Sequence, residues 1–355
     1  MTRPQAAARP LSERDREVLK AIILAYVVEA EPVSSRAVAR RSGLGLSAAT
    51  IRNVMADLEE AGYLAQPHTS AGRVPTAAAY HLFIESMMTS RRVPAHARRR
   101  IEEQLLAAPG DAEQLMGATS QLLSELSRQV GIVVAPAMGD TVLRTLDFVP
   151  ISGNKVLCVV VSTSGFVDNK VVETDAPIGR ETLVQITNYI NESFAGMTLR
   201  AIRDRLLAMM SEERAQVDRL LGLTIELARH GLELGDGPRV LVEGASSVLA
   251  HPELSDIQRV RVLFDTFANQ ARLVKMLAQC IEGEGVRVMI GEDSDLTSPL
   301  DFSLVATRYG SGEKVLGTLG IFGPSRMEYD RVIPLVHYLG ETLSLALSEG
   351  DRGAR

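Results

Sequence analysis

Tryptophan is absent from this chain, and only 7 Tyr and 8 Phe stand among its 355 residues. With so few rings, aliphatic side chains have to fill the cores. Cysteine is nearly absent as well. Cys158 and Cys280 stand alone, which excludes a disulfide framework and a zinc site of Cys-x-x-Cys spacing, and predicts two buried thiols in a reducing cytoplasm. No uninterrupted apolar run reaches the ~18 residues of a membrane span. Arg3 and Arg9 are followed by no apolar signal core, so no secretory peptide is expected. The Walker A lysine signature and the H-E-x-x-H metal motif are missing, and the 6 histidines are scattered. Gly43-Leu44-Gly45-Leu46-Ser47-Ala48 matches the dinucleotide pattern G-x-G-x-x-A, but that pattern needs a preceding strand and a helical segment stands there instead. Asn191-Glu192-Ser193 fits a glycosylation sequon, which has no meaning in a cytoplasmic protein. No enzyme activity, cofactor or metal is expected.

What is present describes a soluble protein of two or three domains, with 46% apolar and 23% charged residues. The net charge of −6 conceals a division. Residues 1–100 carry 15 Lys and Arg against 9 Asp and Glu, a net of +6, and the remainder carries 23 against 35, a net of −12. Screening confines charge effects to ~8 Å at physiological salt, so the local excess matters for a polyanionic partner more than the total. Much of that excess lies in Arg91-Arg92 and Arg98-Arg99-Arg100, at a domain boundary, where a solvated linker is favoured slightly over direct phosphate contact.

The segment from Gly43 to Thr76 carries the most information. Ser47 is a plausible N-cap, and Ile51, Val54, Met55 and Leu58 recur at helical spacing as one buried stripe. At about 100° per residue, Ala49, Asn53 and Ala56 fall on the opposite face, with Thr50 and Arg52 on its flanks. Small residues let a helix approach base edges, Arg forks onto guanine and Asn onto adenine. Ser47 and Thr50 stand near the helix N-terminus, where phosphate is favoured. An ordinary amphipathic surface helix shows the same division, so the flanking elements carry the distinction.

Those elements are ordered as in a winged helix-turn-helix. Ser12 and Asp15 form a capping box ahead of Val18, Leu19, Ile22, Ile23 and Tyr26. Pro32 ends that helical region. Ser34 or Ser35 caps a second helix with Val38 inward and Arg36, Arg40 and Arg41 outward, and Gly43 supplies a left-handed turn. After Gly62, Tyr63-Leu64 starts a wing strand, Ser70-Ala71-Gly72 forms the tip, and Arg73-Val74-Pro75 returns. The expected DNA contacts are therefore Ser47, Ala49, Thr50, Arg52 and Asn53, with Arg36 and Arg40 before them and His68, Thr69, Ser70 and Arg73 on the wing. For Arg73, a phosphate or minor-groove contact and a solvated loop are equally open.

The run Ala48-Ala49-Thr50-Ile51-Arg52-Asn53, then Gly62-Tyr63-Leu64 and Pro67-His68-Thr69-Ser70-Ala71-Gly72-Arg73-Val74-Pro75-Thr76, closely resembles the bacterial heat-inducible transcription repressors of the HrcA family. Gly323-Pro324-Ser325-Arg326-Met327-Glu328-Tyr329 and Arg331-Val332-Ile333-Pro334-Leu335-Val336 resemble the closing motif of the same family. The resemblance spans nearly the whole chain, through its middle by element order more than by motif. It implies a dimeric repressor of chaperone operons such as groESL and dnaK, an inverted-repeat operator of the CIRCE type, and control by the chaperonin GroEL. It also implies a GAF-like domain with an inserted dimerisation domain, and heat acting by partial unfolding of the body. One departure stands out: where the family has Gly-Tyr-Arg and then aspartate, this chain has Ala79-Tyr80-His81 and Glu85. A basic contact there is either weakened or supplied by the arginines that follow.

The fold class expected is α+β and multidomain. Residues 1–10 are expected to be disordered, 11–90 to form the winged helix-turn-helix, and 91–111 a basic linker or helix. A GAF-like mixed domain is expected over 112–180 and 266–347, with a largely helical dimerisation domain inserted over 181–265. A helix carrying Tyr80, Phe83, Ile84 and Met87 leads to a joint at Val93-Pro94. A second runs from Ala112 to about Val130 with Leu115, Met116, Leu122, Leu123 and Leu126 inward. Strands are expected at 131–134, 142–148, 156–161, 167–172, 286–290, 302–309 and 315–322, with turns at Ser152-Gly153-Asn154 and Ser164-Gly165. Helices fill 181–234 and 255–282, and a last helix starts at Ser325 with Glu328 completing a capping box. Strands, a helical block and strands again suit an insertion into a mixed domain. Leu199, Ile202, Leu206 and Met210, followed by Val217, Leu220, Leu221, Thr224 and Leu227, are a candidate dimer face, although internal packing explains them more simply. Two functions remain in view: a repressor answering to a protein partner, and a transcription factor whose GAF-like body senses a small metabolite. A roomy apolar cavity with convergent polar groups separates the second from the first. A catalytic domain fused to a DNA anchor has no residue cluster in its favour.

Overall fold

Ser12 opens the first helix as the capping pattern requires: its hydroxyl accepts from Asp15 N–H while the Asp15 carboxylate accepts from Ser12 N–H. We describe a computed structural model covering residues 11–68, 71–88, 91–107, 111–210, 219–232, 238–248, 261, 265, 273–275, 277, 285–293, 301–311 and 314–352. Helix α1 (Glu13–Glu29) buries Val18, Leu19, Ile22 and Ile23, and Tyr26 is only partly covered. Ser34, not Ser35, caps α2 (Ser35–Arg41). Gly43 and Gly45 both take positive φ, 66° and 67°, which turns the chain sharply into α3 (Ala48–Glu60). Strands β1 (Leu64–Ala65) and β2 (Val74–Pro75) pair antiparallel as the wing. The expected residues 1–10, Thr69 and Ser70 lie outside the described residues.

Thr76 then caps α4 (Ala77–Leu82), which runs on as a wider π-type turn to Met87. This segment fastens the winged domain to the body. Tyr80 packs on Tyr329 with ring centroids 5.7 Å apart, and His81 Nε2 lies 2.7 Å from Asp293 Oδ2. The departure noted at His81 thus concerns the joint between domains. Helix α5 (Ala95–Leu105) buries Ala97, Ile101 and Leu105 against the body. Segment 91–111 therefore holds a packed helix, and four of its five arginines, all but Arg92, are engaged. Arg91 pairs with Asp330 at 2.6 Å, Arg99 with Glu103 at 2.8 Å and Arg100 with Glu125, while Arg98 lies over the Tyr338 ring.

The body is built on a five-stranded antiparallel sheet in the order β7-β3-β10-β9-β8. Its strands are β3 (Val130–Val134), β7 (Val240–Glu243), β8 (Arg287–Ile290), β9 (Phe302–Ser311) and β10 (Lys314–Pro324). Alternation of side chains across the sheet serves two cores. Val133, Val305, Leu319 and Ile321 join the main core beneath α6 (Ala112–Ser127) and the closing helix α11 (Tyr329–Arg352). Val130, Ile132, Leu304 and Phe322 pack on the other face with Leu273 and Leu277. Neither β7 nor the short helix α10 (Ala245–Val248) that follows it was expected from the sequence. The closing helix also starts four residues later than expected. The Ser325 hydroxyl, which would have capped it, donates instead to the Asp301 carbonyl at 2.9 Å.

A second, three-stranded antiparallel sheet holds β4 (Leu143–Ser152), β5 (Lys155–Ser162) and β6 (Val167–Glu173) in that order. Its inner face, with Leu146, Phe148, Cys158 and Val160, joins the core formed with α7 (Arg180–Ser193), α8 (Leu199–Met210) and α9 (Arg219–Gly231). Among the described residues these strands pair with one another and not with the body sheet, and the helices after residue 180 pack on them. Asn191 completes the β4 edge: its side-chain amide accepts from Leu146 N–H and donates to Leu146 C=O, both at 2.8 Å. Cys158 is fully buried, and burial pushes its thiol up to about 12, so it stays protonated. Cys280 lies outside the described residues, as does most of the expected helix over 255–282.

Pro334 stands inside α11 and has no N–H to give the Asp330 carbonyl four residues earlier. That carbonyl accepts the backbone N–H of Arg91 at 2.9 Å, so the proline exposes an acceptor on which the linker docks. Pro334→Ala supplies a competing N–H. The expected outcome is faster amide hydrogen exchange at Arg91 together with slower exchange in the first turns of α11. Unchanged exchange at Arg91 would mean that the carbonyl serves both donors.

Candidate nucleic-acid interface

The inner side of α3 is closed: Ile51 and Leu58 are 0% exposed, Val54 2% and Met55 4%. Its outer side is open, with Ala49, Arg52, Asn53 and Ala56 all exposed. Neither Arg52 nor Asn53 has a side-chain hydrogen bond or ion pair among the described residues, so both are available to an incoming ligand. Ser47 caps the helix by accepting from Thr50 N–H at 3.1 Å, and the two hydroxyls lie 2.9 Å apart. No acidic residue occupies the first turn of α3, in contrast with Glu13 and Asp15 in α1. The positive end of the α3 dipole is therefore left for an outside anion.

Arg36 and Arg40 are exposed on α2, and Arg41 is drawn back to Glu29. His68 is exposed at the wing. Arg73, for which a phosphate contact and a solvated loop were equally open, is paired within the winged domain. Its Nε and Nη2 lie 2.8 and 2.7 Å from Glu59 Oε2, near the C-terminus of α3. Its backbone exchanges two hydrogen bonds of 2.9 Å with Val33. Gly72 is needed for that pairing, since a Cβ there would collide with the carbonyl groups of Pro32 and Val33. Glycine thus permits close backbone approach at the root of the wing, and Arg73 ties the wing to α3.

Charge alone does not mark this surface. Residues 11–88 carry 8 Lys and Arg against 9 Asp and Glu, and the excess noted for 1–100 comes from the flanking segments. What distinguishes the face is placement: α3 has no acid between Ala48 and Ala56, while Asp57, Glu59 and Glu60 gather at its far end.

An outward helix of small and forked polar side chains, a tight glycine turn before it and a hairpin wing beside it define a winged helix-turn-helix DNA-binding regulator. A family model for the winged helix-turn-helix transcription repressor HrcA DNA-binding domain matches residues 10–89, and one for the HrcA protein C-terminal domain matches residues 113–333. A Geobacter sulfurreducens protein named heat-inducible transcription repressor HrcA is 41% identical over 341 residues, covering 96% of this chain and 99% of its own. One of the same name from Xanthomonas campestris pv. campestris is 38% identical, covering 95% of this chain and 96% of its own. A solved structure described as a hypothetical protein at 2.2 Å resolution superposes with a TM-score of 0.66 at 25% identity, over 96% of this chain and 99% of that one. The chain belongs to the HrcA family.

Two roles on this surface are separable by titration. Arg52→Ala or Asn53→Ala is expected to cost ~1–3 kcal/mol at particular operator positions and little elsewhere, as read by gel shifts across an operator mutation series. Glu59→Gln and Arg73→Ala are expected to weaken binding by similar factors, with an unaltered salt slope and no further loss in the double variant. A salt slope that flattens in Arg73→Ala alone would return Arg73 to direct phosphate contact.

Proposed function

We propose that this chain is a dimeric transcriptional repressor. It binds an inverted-repeat operator of the CIRCE type before chaperone operons, and its activity is modulated by the chaperonin GroEL. The observation that carries the DNA-binding part is the unpartnered outer face of α3 beside a wing held in register by Arg73 and Gly72. Repression and heat induction follow the relatives named heat-inducible transcription repressor, and the operator and the chaperonin link follow the resemblance of the sequence motifs alone. The contacts assigned are Ser47 and Thr50 to phosphate, Arg52 and Asn53 to base edges with Ala49 allowing approach, and Arg36, Arg40 and His68 to the flanking backbone. Thr69 and Ser70, assigned to the same contact from the sequence, lie outside the described residues. No helix among the described residues is long and apolar enough to cross a membrane, which accords with work on DNA in the cytoplasm.

One winged domain reads few base pairs, and a two-fold dimer doubles the contacts on a palindrome. We place the dimer contact away from the helical stripe first considered. Leu199, Ile202, Leu206, Thr224 and Leu227 are already buried within the single chain. Val217 lies outside the described residues. The open face of the three-stranded sheet suits pairing better. Val149, Leu157 and Val171 stand in one cross-strand row, and Val149, Ile151, Val167 and Val171 are 42%, 54%, 46% and 51% exposed. Bare β-branched surface on an edge sheet is costly to leave in water. The inserted unit then runs from about residue 141 to about residue 232.

A purified chain offered a palindrome and a single half-site is expected to hold the palindrome far more tightly, protecting two half-sites a whole number of helical turns apart. Equal affinity for both DNAs sinks the dimeric reading. Val171→Asp is expected to yield monomers by analytical ultracentrifugation and to abolish that preference while leaving the fold unchanged by circular dichroism. For the regulatory link, added chaperonin should raise operator occupancy after mild heating.

A further inference from the structure

A cleft of about 440 Å³ lies in the joint between the winged domain and the body. One wall comes from α1, the wing root and α4, including Tyr26, Thr76 and Tyr80, and the other from the body residues Asp301, Ser325 and Arg326. Its size falls within the range of about 300–1,000 Å³ that small-molecule sites occupy.

Two polar groups on this cleft are left without partners. The Tyr80 hydroxyl is buried and has no hydrogen bond among the described residues, although the residue is only 2% exposed. Leaving a buried hydroxyl unpaired costs free energy, so an unpaired one on a residue that lines a cavity calls for an explanation. Burial raises the Tyr80 phenol well above its usual range, Tyr329, Tyr26 and Asp301 add to the rise and Arg326 opposes it; three of these four line the cleft. The second group is the Asp301 carboxylate, on an exposed residue open to solvent, which has neither hydrogen bond nor ion pair among the described residues. Its backbone sits at φ 55°, held there by the N–H and hydroxyl of Ser325 on its carbonyl at 3.0 and 2.9 Å. Across the cleft wall stands Arg326, whose Nη1 donates to the Val27 carbonyl at 3.3 Å.

We infer that this cleft is a binding site for a small zwitterion of amino-acid type, whose occupancy resets how the winged head sits on the body. An ammonium group answers the bare Asp301 carboxylate, and a carboxylate answers the Arg326 guanidinium. An α-amino acid carries both groups on one carbon. The Tyr80 hydroxyl, sealed beneath the wall in this setting of the joint, gains its missing partner as the joint resets, and the apolar wall of Val74, Pro75 and Ile290 receives a side chain. The ligand touches both domains, so it binds different settings of the joint with different affinity and shifts their populations. This inference goes beyond the repressor function and does not depend on the operator assigned to it.

The test uses the full chain, melted in the presence of each of the common L-amino acids at millimolar concentration, with acetate and methylammonium as half-ligand controls. At least one amino acid is expected to raise Tm by several degrees in a saturable way, and neither half-ligand should do so. Asp301→Asn should lose that response. Tyr80→Phe keeps the ring on Tyr329 and removes only the orphan hydroxyl. Without ligand it should melt no lower than the parent, and its affinity for the active amino acid should fall at least about tenfold. The site is overturned if no amino acid shifts Tm, if the shift survives Asp301→Asn, or if Tyr80→Phe alone lowers Tm. Binding that leaves affinity for any retained DNA unchanged overturns the coupling to the head and leaves the site standing.

Discussion

The packing of Tyr80 on Tyr329 decides where the reading head sits, and the rest of the arrangement is organised around that contact. Tyr329 is fully buried, donates to Ser325 C=O at 2.8 Å and lies 2.9 Å from the Ser303 hydroxyl, so the body side of the joint is rigid. The head side is a short helix and a wider turn with few other attachments. His81 on Asp293, Arg91 on Asp330 and Arg326 on the last turn of α1 fix the rotation about that pivot. Each is a partly exposed polar contact worth little alone. A joint built this way holds one setting without a large energy gap, which is what a controllable regulator needs.

The closing motif acquires a physical account in the same terms. Ser325 pins Asp301, Arg326 donates to a carbonyl in the last turn of α1, and Arg331 does the same for Leu126 at the end of α6. Both helices lack basic residues of their own in the last turn, so cations from elsewhere meet the negative ends of their dipoles. Pro334 leaves the Asp330 carbonyl for Arg91. A stretch first recognised by likeness thus gathers three helix ends and the linker at one place.

The basic cluster between Arg91 and Arg100 shows how charge counts mislead. It supplies most of the positive excess of the first hundred residues, yet Arg91, Arg99 and Arg100 face carboxylates at 330, 103 and 125. Paired cations have already released part of their attraction for phosphate. The reading face relies instead on the absence of acids along the first turns of α3 and on the open end of its dipole.

Local pattern determined a great deal here. The capping box at Ser12, the Ser47 cap, the buried stripe of α3, the left-handed Gly43 and the spans of β4, β5 and β6 were all legible, because each depends on neighbours within a few residues. Tertiary structure alone decided which strands share a sheet, that Arg73 lies on Glu59, that Ser325 serves Asp301 in place of a helix end, and that Leu199 and Ile202 face inward. Those outcomes turn on partners dozens to hundreds of residues away. A side chain of given chemistry has many possible partners, and only the folded chain brings one of them within bonding distance.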